Sequence, residues 1–166
     1  MITSSTVTDE IHSHGVVIYK ITGTSMLPML APNRDIVCVC KKGKSAIKKD
    51  DVILYRSKHG LVLHRVIKVI NGIYVTMGDN CSKPTRVTEE CICGVLTEFW
   101  NNGHKYLVSD DRYIDYINRL NANRNSFIRK KKFVDLIVWH IRFFPYSSRE
   151  KLKNLLRTVL KLNNSF

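Results

Sequence analysis

The segment Ile21–Leu30, ITGTSMLPML, presents one hydroxyl, Ser25, with Gly23 before it and Pro28 three residues after it. A serine hydroxyl is a weak nucleophile and becomes useful only beside a base; without one, Ser25 is a turn serine following the apolar run Val16–Tyr19. The bases available near neutral pH are the six histidines, His12, His14, His59, His64, His104 and His140. An imidazole titrates near about 6.5 and needs little tuning, whereas a lysine, near about 10.4, must be desolvated to act as a base. His64 lies in the apolar run LVLHRV, where it is either such a base or a strand histidine holding a local hydrogen bond. The five cysteines include two C-x-C pairs, Cys38/Cys40 and Cys91/Cys93, with Cys81 between them. Alternate residues of a strand share a face, so each pair could present two thiols together. Structural zinc sites usually space their ligands with two to four residues between cysteines. Both pairs are therefore read as small strand residues, and no metal or cofactor is expected.

These residues need a scaffold, and the pattern from Val16 to Val108 is one of short β runs separated by turns. The runs are VVIYKI, IVCVC, VILYR, LVLHRVIKVI, IYVTMG, CICGVLTEFW and KYLVS. APNRD is a turn in which Pro32 presets φ and Asn33 tolerates a left-handed backbone. SKHG fits a four-residue hairpin connection, and Asn71–Gly72 is the strongest two-residue hairpin signal in the chain. Such spacing indicates a strongly bent β-sheet or small barrel rather than a βαβ sheet. From Asp110 the period changes. Tyr113, Ile114, Ile117 and Leu120 recur at helical spacing, KKKFVDLIVWHIRFF is an apolar helical stretch ending near Pro145, and SSREKLKNLLRTVLKL is an amphipathic helix. The expected organisation is a flexible N-terminus over 1–15, a β domain over 16–109 and a basic helical tail over 110–166.

The Ser25 segment with Gly23, Met26 and Pro28 resembles the nucleophile segment of the S24/S26 peptidase superfamily, which includes signal peptidases and LexA-type self-cleaving repressors. Four later blocks follow in that family's order. DDVILYR resembles its G-D-[IV]-V-x-[FY] block, with Asp50 in place of the usual glycine and Asp51 matching. LVLHRV resembles the block carrying the general base, MGDN the G-D-N block, and CICGVL the closing strand. The resemblance covers Ile18 to Leu96. It implies a mainly β fold of the signal peptidase/LexA C-terminal type and a serine peptidase with Ser25 as nucleophile. His64 stands where many members have lysine, as in the endoplasmic-reticulum type, and the resemblance makes it the base. Asp79 of MGDN is the candidate orienting acid, its other reading being a turn-forming residue. Gly23 stands where signal peptidases often carry a hydroxyl donor. The Ser25 N–H then becomes the oxyanion donor, with Thr24 as a helper. Gly23 would also permit close backbone approach, and Pro28 would stiffen the chain after the nucleophile.

The net charge of +13 is uneven. Residues 113–166 carry 12 Lys/Arg against 3 Asp/Glu, and residues 1–112 carry 15 against 11. The basicity therefore belongs to the tail, which suits an anionic membrane surface or a partner protein. Nucleic acid is not expected as a partner, because no recognised binding motif accompanies the charge. No run of about 18 apolar residues suggests a membrane span, and the polar N-terminus lacks the apolar region of a signal peptide. A cytoplasmic location is expected, with the apolar part of the tail either packing against the β domain or a partner subunit, or docking peripherally on a membrane. The function implied is a serine endopeptidase cleaving a precursor or leader peptide. The alternatives are a non-catalytic peptide-binding or scaffold protein of the same fold, and a DNA-linked regulator.

Overall fold

The computed structural model describes residues 4–43 and 45–141, with side chains from 7 to 134. The chain is mainly β. Strands β1 (Val16–Lys20), β2 (Ile36–Cys40), β3 (Val52–Ser57), β4 (Gly60–Ile70), β5 (Ile73–Met77), β6 (Thr85–Val87), β7 (Ile92–Asn101) and β8 (His104–Leu107) form one sheet. Its order is β1-β2-β7-β3-β4-β5-β6, with β8 paired to β7. Every pairing is antiparallel. The sheet curls into a half-barrel. Register shifts at Cys38/Val39, Leu54/Tyr55 and Val66/Lys68 supply local bends, since an extra residue on one strand kinks it and increases its twist.

The central strand explains its own sequence. VILYR reads as an unbroken apolar run because β3 is buried on both faces. Val52 and Leu54 enter one core with Met26, Met29, Leu30, Leu63 and Leu96. Ile53 and Tyr55 enter a second with Ile47, Val66, Tyr74 and Val87. The Asn71–Gly72 turn has positive φ at both residues (48° and 77°), as a two-residue hairpin of this kind requires.

Several elements differ from the expectations above. Residues 4–14, expected to be flexible, form helix α1 (Ser4–His14). Val7 and Ile11, one turn apart, are buried in the first core, and that shared face holds the helix. The loop DNCSKPTR contains the start of β6, whose pairing to β5 (Thr76↔Thr85) no alternating pattern announced. The hairpin after β3 is tighter than SKHG suggested, because Ser57 already pairs with Gly60. Two expected helical stretches are one helix, α2 (Asp111–Ile141). The first compact unit extends to Ala122 instead of stopping at 109. The early turns of α2 belong to it because Tyr113 and Tyr116 are buried in the first core, with Ile117 and Leu120 against it. The second unit begins at Asn123; its described part bears Arg129, Lys130, Lys131 and Lys132 beside Phe133, which is 64% exposed. The expected helix SSREKLKNLLRTVLKL lies outside the described residues. Among the described residues, no helix is long and apolar enough to cross a membrane.

Candidate active site

Ser25 sits half-buried in a turn whose flanks are fastened inside the protein. Met26, Met29 and Leu30 are buried in the first core, and the Leu30 N–H donates to the Met26 carbonyl (2.9 Å). At the end of the following turn, the Asp35 carboxylate accepts from the Ala31 N–H (2.7 Å) and the Asn102 N–H (3.0 Å). Arg34 also donates to it (2.6 Å). Burial alone would raise the Asp35 pKa, but these donors outweigh it and hold the carboxyl below its ordinary range.

The loop after β5 clasps this turn through backbone groups. The Asn80 N–H donates to the Ser25 carbonyl (2.8 Å), and the Asn80 side-chain amide donates to the Thr24 carbonyl (3.2 Å). Gly78 makes the approach feasible. A β-carbon built on Gly78 would lie 2.5 Å from the Ser25 carbonyl oxygen, 2.9 Å from Cys81 Sγ and 3.0 Å from Ser25 Cβ. Any other residue at position 78 would have to push the serine turn away.

His64 lies on β4, and the register connects it to this contact. Arg65 pairs with Met77, so the register carried one residue further sets Gly78 across from His64. Directly opposed residues of an antiparallel pair project to the same face. The space left by the absent Gly78 side chain, which Ser25 fills, is therefore on the face that carries the His64 imidazole. On the other side of β4, His64 pairs with Ile53. Tyr55, two residues along β3, reaches the imidazole, with its phenol oxygen 3.3 Å from Nδ1. Burial pulls the His64 pKa below its ordinary value, and the Asp79 charge opposes this only partly. The ring is thus kept neutral at pH 7, the form a general base requires.

Arg65, the next residue, points to the opposite face and is fully buried. Its Nε and Nη2 donate to the two Asp79 carboxylate oxygens (2.9 and 2.7 Å). Its Nη1 donates to the Asp50 carbonyl and the Tyr113 hydroxyl oxygen (both 2.9 Å). Nη2 also lies 3.2 Å from Met29 Sδ, and the guanidinium lies over the rings of Tyr113 and Tyr116. The Tyr116 hydroxyl donates to Asp79 Oδ2 (2.8 Å). Burying a cation is costly unless it is paired and bonded throughout, and this bidentate geometry satisfies that condition. Burial favours the neutral form of Arg65, yet the Asp79 charge and bonds prevail and raise its pKa. Burial and the Asp79 carboxylate both push the Tyr116 phenol upward. Asp50 has a φ of 76°, in the left-handed region that glycine adopts most readily.

The remaining expected site residues are dispersed. Thr24 and Pro28 are exposed, and Met26 is a core anchor. A close backbone approach within the chain occurs at Gly78. No other part of the described protein lies within 4 Å of a β-carbon built on Gly23, which is exposed. The candidate acid Asp79 is beneath the site as the partner of Arg65 and Tyr116. His14 pairs with Glu10 at 3.0 Å on α1, His59 is exposed at a turn, and His104 is exposed at the start of β8. The His140 side chain lies outside the described ones. Cys38 and Cys40 are on β2, Cys93 on β7, and all five cysteines are free thiols.

Tyr55, Arg65 and Gly78 were not singled out from the sequence, though each left a trace. SKHG as a connection already sets Arg56 opposite Leu61, from which Tyr55 falls diagonal to His64. Arg65 shares the parity of Leu61 and Leu63, and an arginine on a core-facing stripe asks for a buried partner. No family model matches the chain, and no curated protein matches it.

Proposed function

We propose that this protein is a serine endopeptidase working through a Ser25–His64 dyad. The observation that carries the reading is the absent side chain of Gly78, against which the Ser25 carbonyl and Cβ pack, one residue after Met77, the β5 partner of Arg65 and so next to the His64 end of the pairing. His64, held neutral by burial, removes the Ser25 proton as the hydroxyl oxygen attacks a peptide carbonyl. The Ser25 N–H, with Thr24 beside it, is the donor for the oxyanion. His64 then protonates the leaving amine, and later activates the water that releases the acyl group. Gly23, Met26 and Pro28 position the turn, and Asp79 supplies its charge from below.

The substrate class is an extended peptide, such as a precursor or leader segment. β1 is an edge strand. The Ile21 N–H donates to Asp35 and the Lys41 N–H to Gly15. Odd-numbered residues of this segment therefore bond to the β2 side, and Val16, Ile18 and Lys20 turn their backbone groups to the open edge. Ile18 is 57% exposed there. A peptide adding as a strand would satisfy those groups. A cytoplasmic protein is proposed, with the basic residues of α2 meeting an anionic membrane surface or a partner protein.

The test compares peptide termini in cells carrying the wild-type, Ser25→Ala or His64→Ala protein. Loss of the same set of termini in both variants is expected; unchanged termini in both overturn the reading. A non-catalytic peptide-binding protein is favoured by one observation, the engagement of Asp79 by Arg65 and Tyr116. It requires peptide capture by the wild type without cleavage.

A further inference from the structure

We infer that Tyr55 is the positioning residue of His64, accepting its Nδ1–H and holding the imidazole in the tautomer whose Nε2 is open to the Ser25 proton. The inference rests on the Ser25–His64 reading and adds the group that takes the place of an orienting acid. The hairpin through Lys58 and His59 pairs Ser57 with Gly60 and Ile53 with His64. Tyr55, two residues from Ile53 on the same face, is the diagonal neighbour of His64 on the adjacent strand. The phenol oxygen lies 3.3 Å from Nδ1, and the rings meet edge to face, 6.0 Å apart at 66°. Tyr55 is buried with Ile53, Val66 and Tyr74, which holds its ring in place.

A neutral imidazole has one N–H. If Nδ1 carries it, the phenol oxygen accepts and Nε2 keeps its lone pair. If the phenol donates instead, Nε2 carries the hydrogen and cannot serve as a base. A phenol accepts without bringing a charge, so it orients the ring while doing less than a carboxylate would to stabilise the imidazolium. The low pKa of His64, with Asp79 as the charge that opposes it, agrees with such a neutral partner.

The test is the tautomer of His64 in the full chain, read from long-range proton–nitrogen correlations in the wild type and in Tyr55→Phe. The expected wild-type ring carries hydrogen on Nδ1. Tyr55→Phe should give a mixture of tautomers and lower the His64 pKa by about half a unit to one unit, because the imidazolium is the stronger donor. An Nε2–H tautomer in the wild type overturns the inference, as does a Tyr55→Phe ring with unchanged tautomer and pKa. Should Tyr55→Phe not fold, the wild-type tautomer decides alone. On a peptide found by the terminus comparison, Tyr55→Phe should lower kcat about tenfold with KM unchanged. Unchanged termini in Ser25→Ala would instead remove the peptidase reading, and the tautomer result would stand apart from it.

Discussion

His64 and Arg65 are neighbours on one strand and face opposite sides of the sheet. Arg65 is fully buried, its charge matched by Asp79 and its other donors taken up by Asp50 and Tyr113. His64 is half-buried, beside Tyr55, with its pKa lowered. The difference separates rigidity from chemistry. A group bonded at every donor cannot give or take a proton at neutral pH, but it can hold a strand, a loop and a helix in register. A group with few bonds and a depressed pKa can exchange protons, provided its surroundings stay fixed. The Arg65 side thus has the bonding of a frame, and under the proposed dyad the His64 side is the working face.

Breaking the frame should have the largest effect. Arg65→Met removes the cation that matches the buried Asp79 carboxylate and should cost about 3–5 kcal/mol in urea unfolding. A loss below about 1 kcal/mol would mean that the hub is not a frame. Gly78→Ala comes next. Its methyl group meets the backbone oxygen of Ser25, so a loss of about 1–3 kcal/mol is expected, together with loss of cleavage. Tyr116→Phe removes one hydrogen bond to the Asp79 carboxylate and should cost about 1.5–3 kcal/mol in the same assay.

On the working face the expectation reverses. His64→Asn should change stability by less than about 1 kcal/mol and reduce cleavage at least about a hundredfold. A large stability loss with cleavage intact would exchange the roles of the two faces. The smallest effect concerns pH. The folded-state pKa of His64 lies below its unfolded value near about 6.5, so the unfolded chain binds more protons in that window. The contribution of His64 to stability is complete above the unfolded value and is lost as pH falls from there through the folded value. Its titration, followed by NMR, should have a midpoint below about 6.5. The acid limb of kcat/KM should follow the same group.

Much of the scaffold was legible. The apolar run of β1, the unbroken apolar run of β3 and the Asn71–Gly72 turn all follow from residue type and backbone permissiveness, which are local properties. The residues of the candidate site were legible as types: a serine in a tight turn, a histidine in an apolar strand, a G-D-N loop. Their relations were not. The three-residue strand β6 is too short to show a period, and α1 has only Val7 and Ile11 as its described core contacts. Asp79 appeared equally suited to orient the base or to form a turn, because nothing near it in the chain indicates Arg65 and Tyr116, which are 14 and 37 residues away.

The sequence by itself determined that a bent antiparallel sheet would form and that a hydroxyl and an imidazole would be carried on it. Periodicity and turn chemistry act over a few residues, so one chain can be read for them directly. Tertiary structure alone decided which glycine admits the serine turn, which carboxylate is bound by the buried arginine, and which phenol stands at Nδ1 of His64. Each depends on register between strands or on packing of a helix against the core. Those are set by the free energy of the whole assembly, through contacts between residues far apart in the chain.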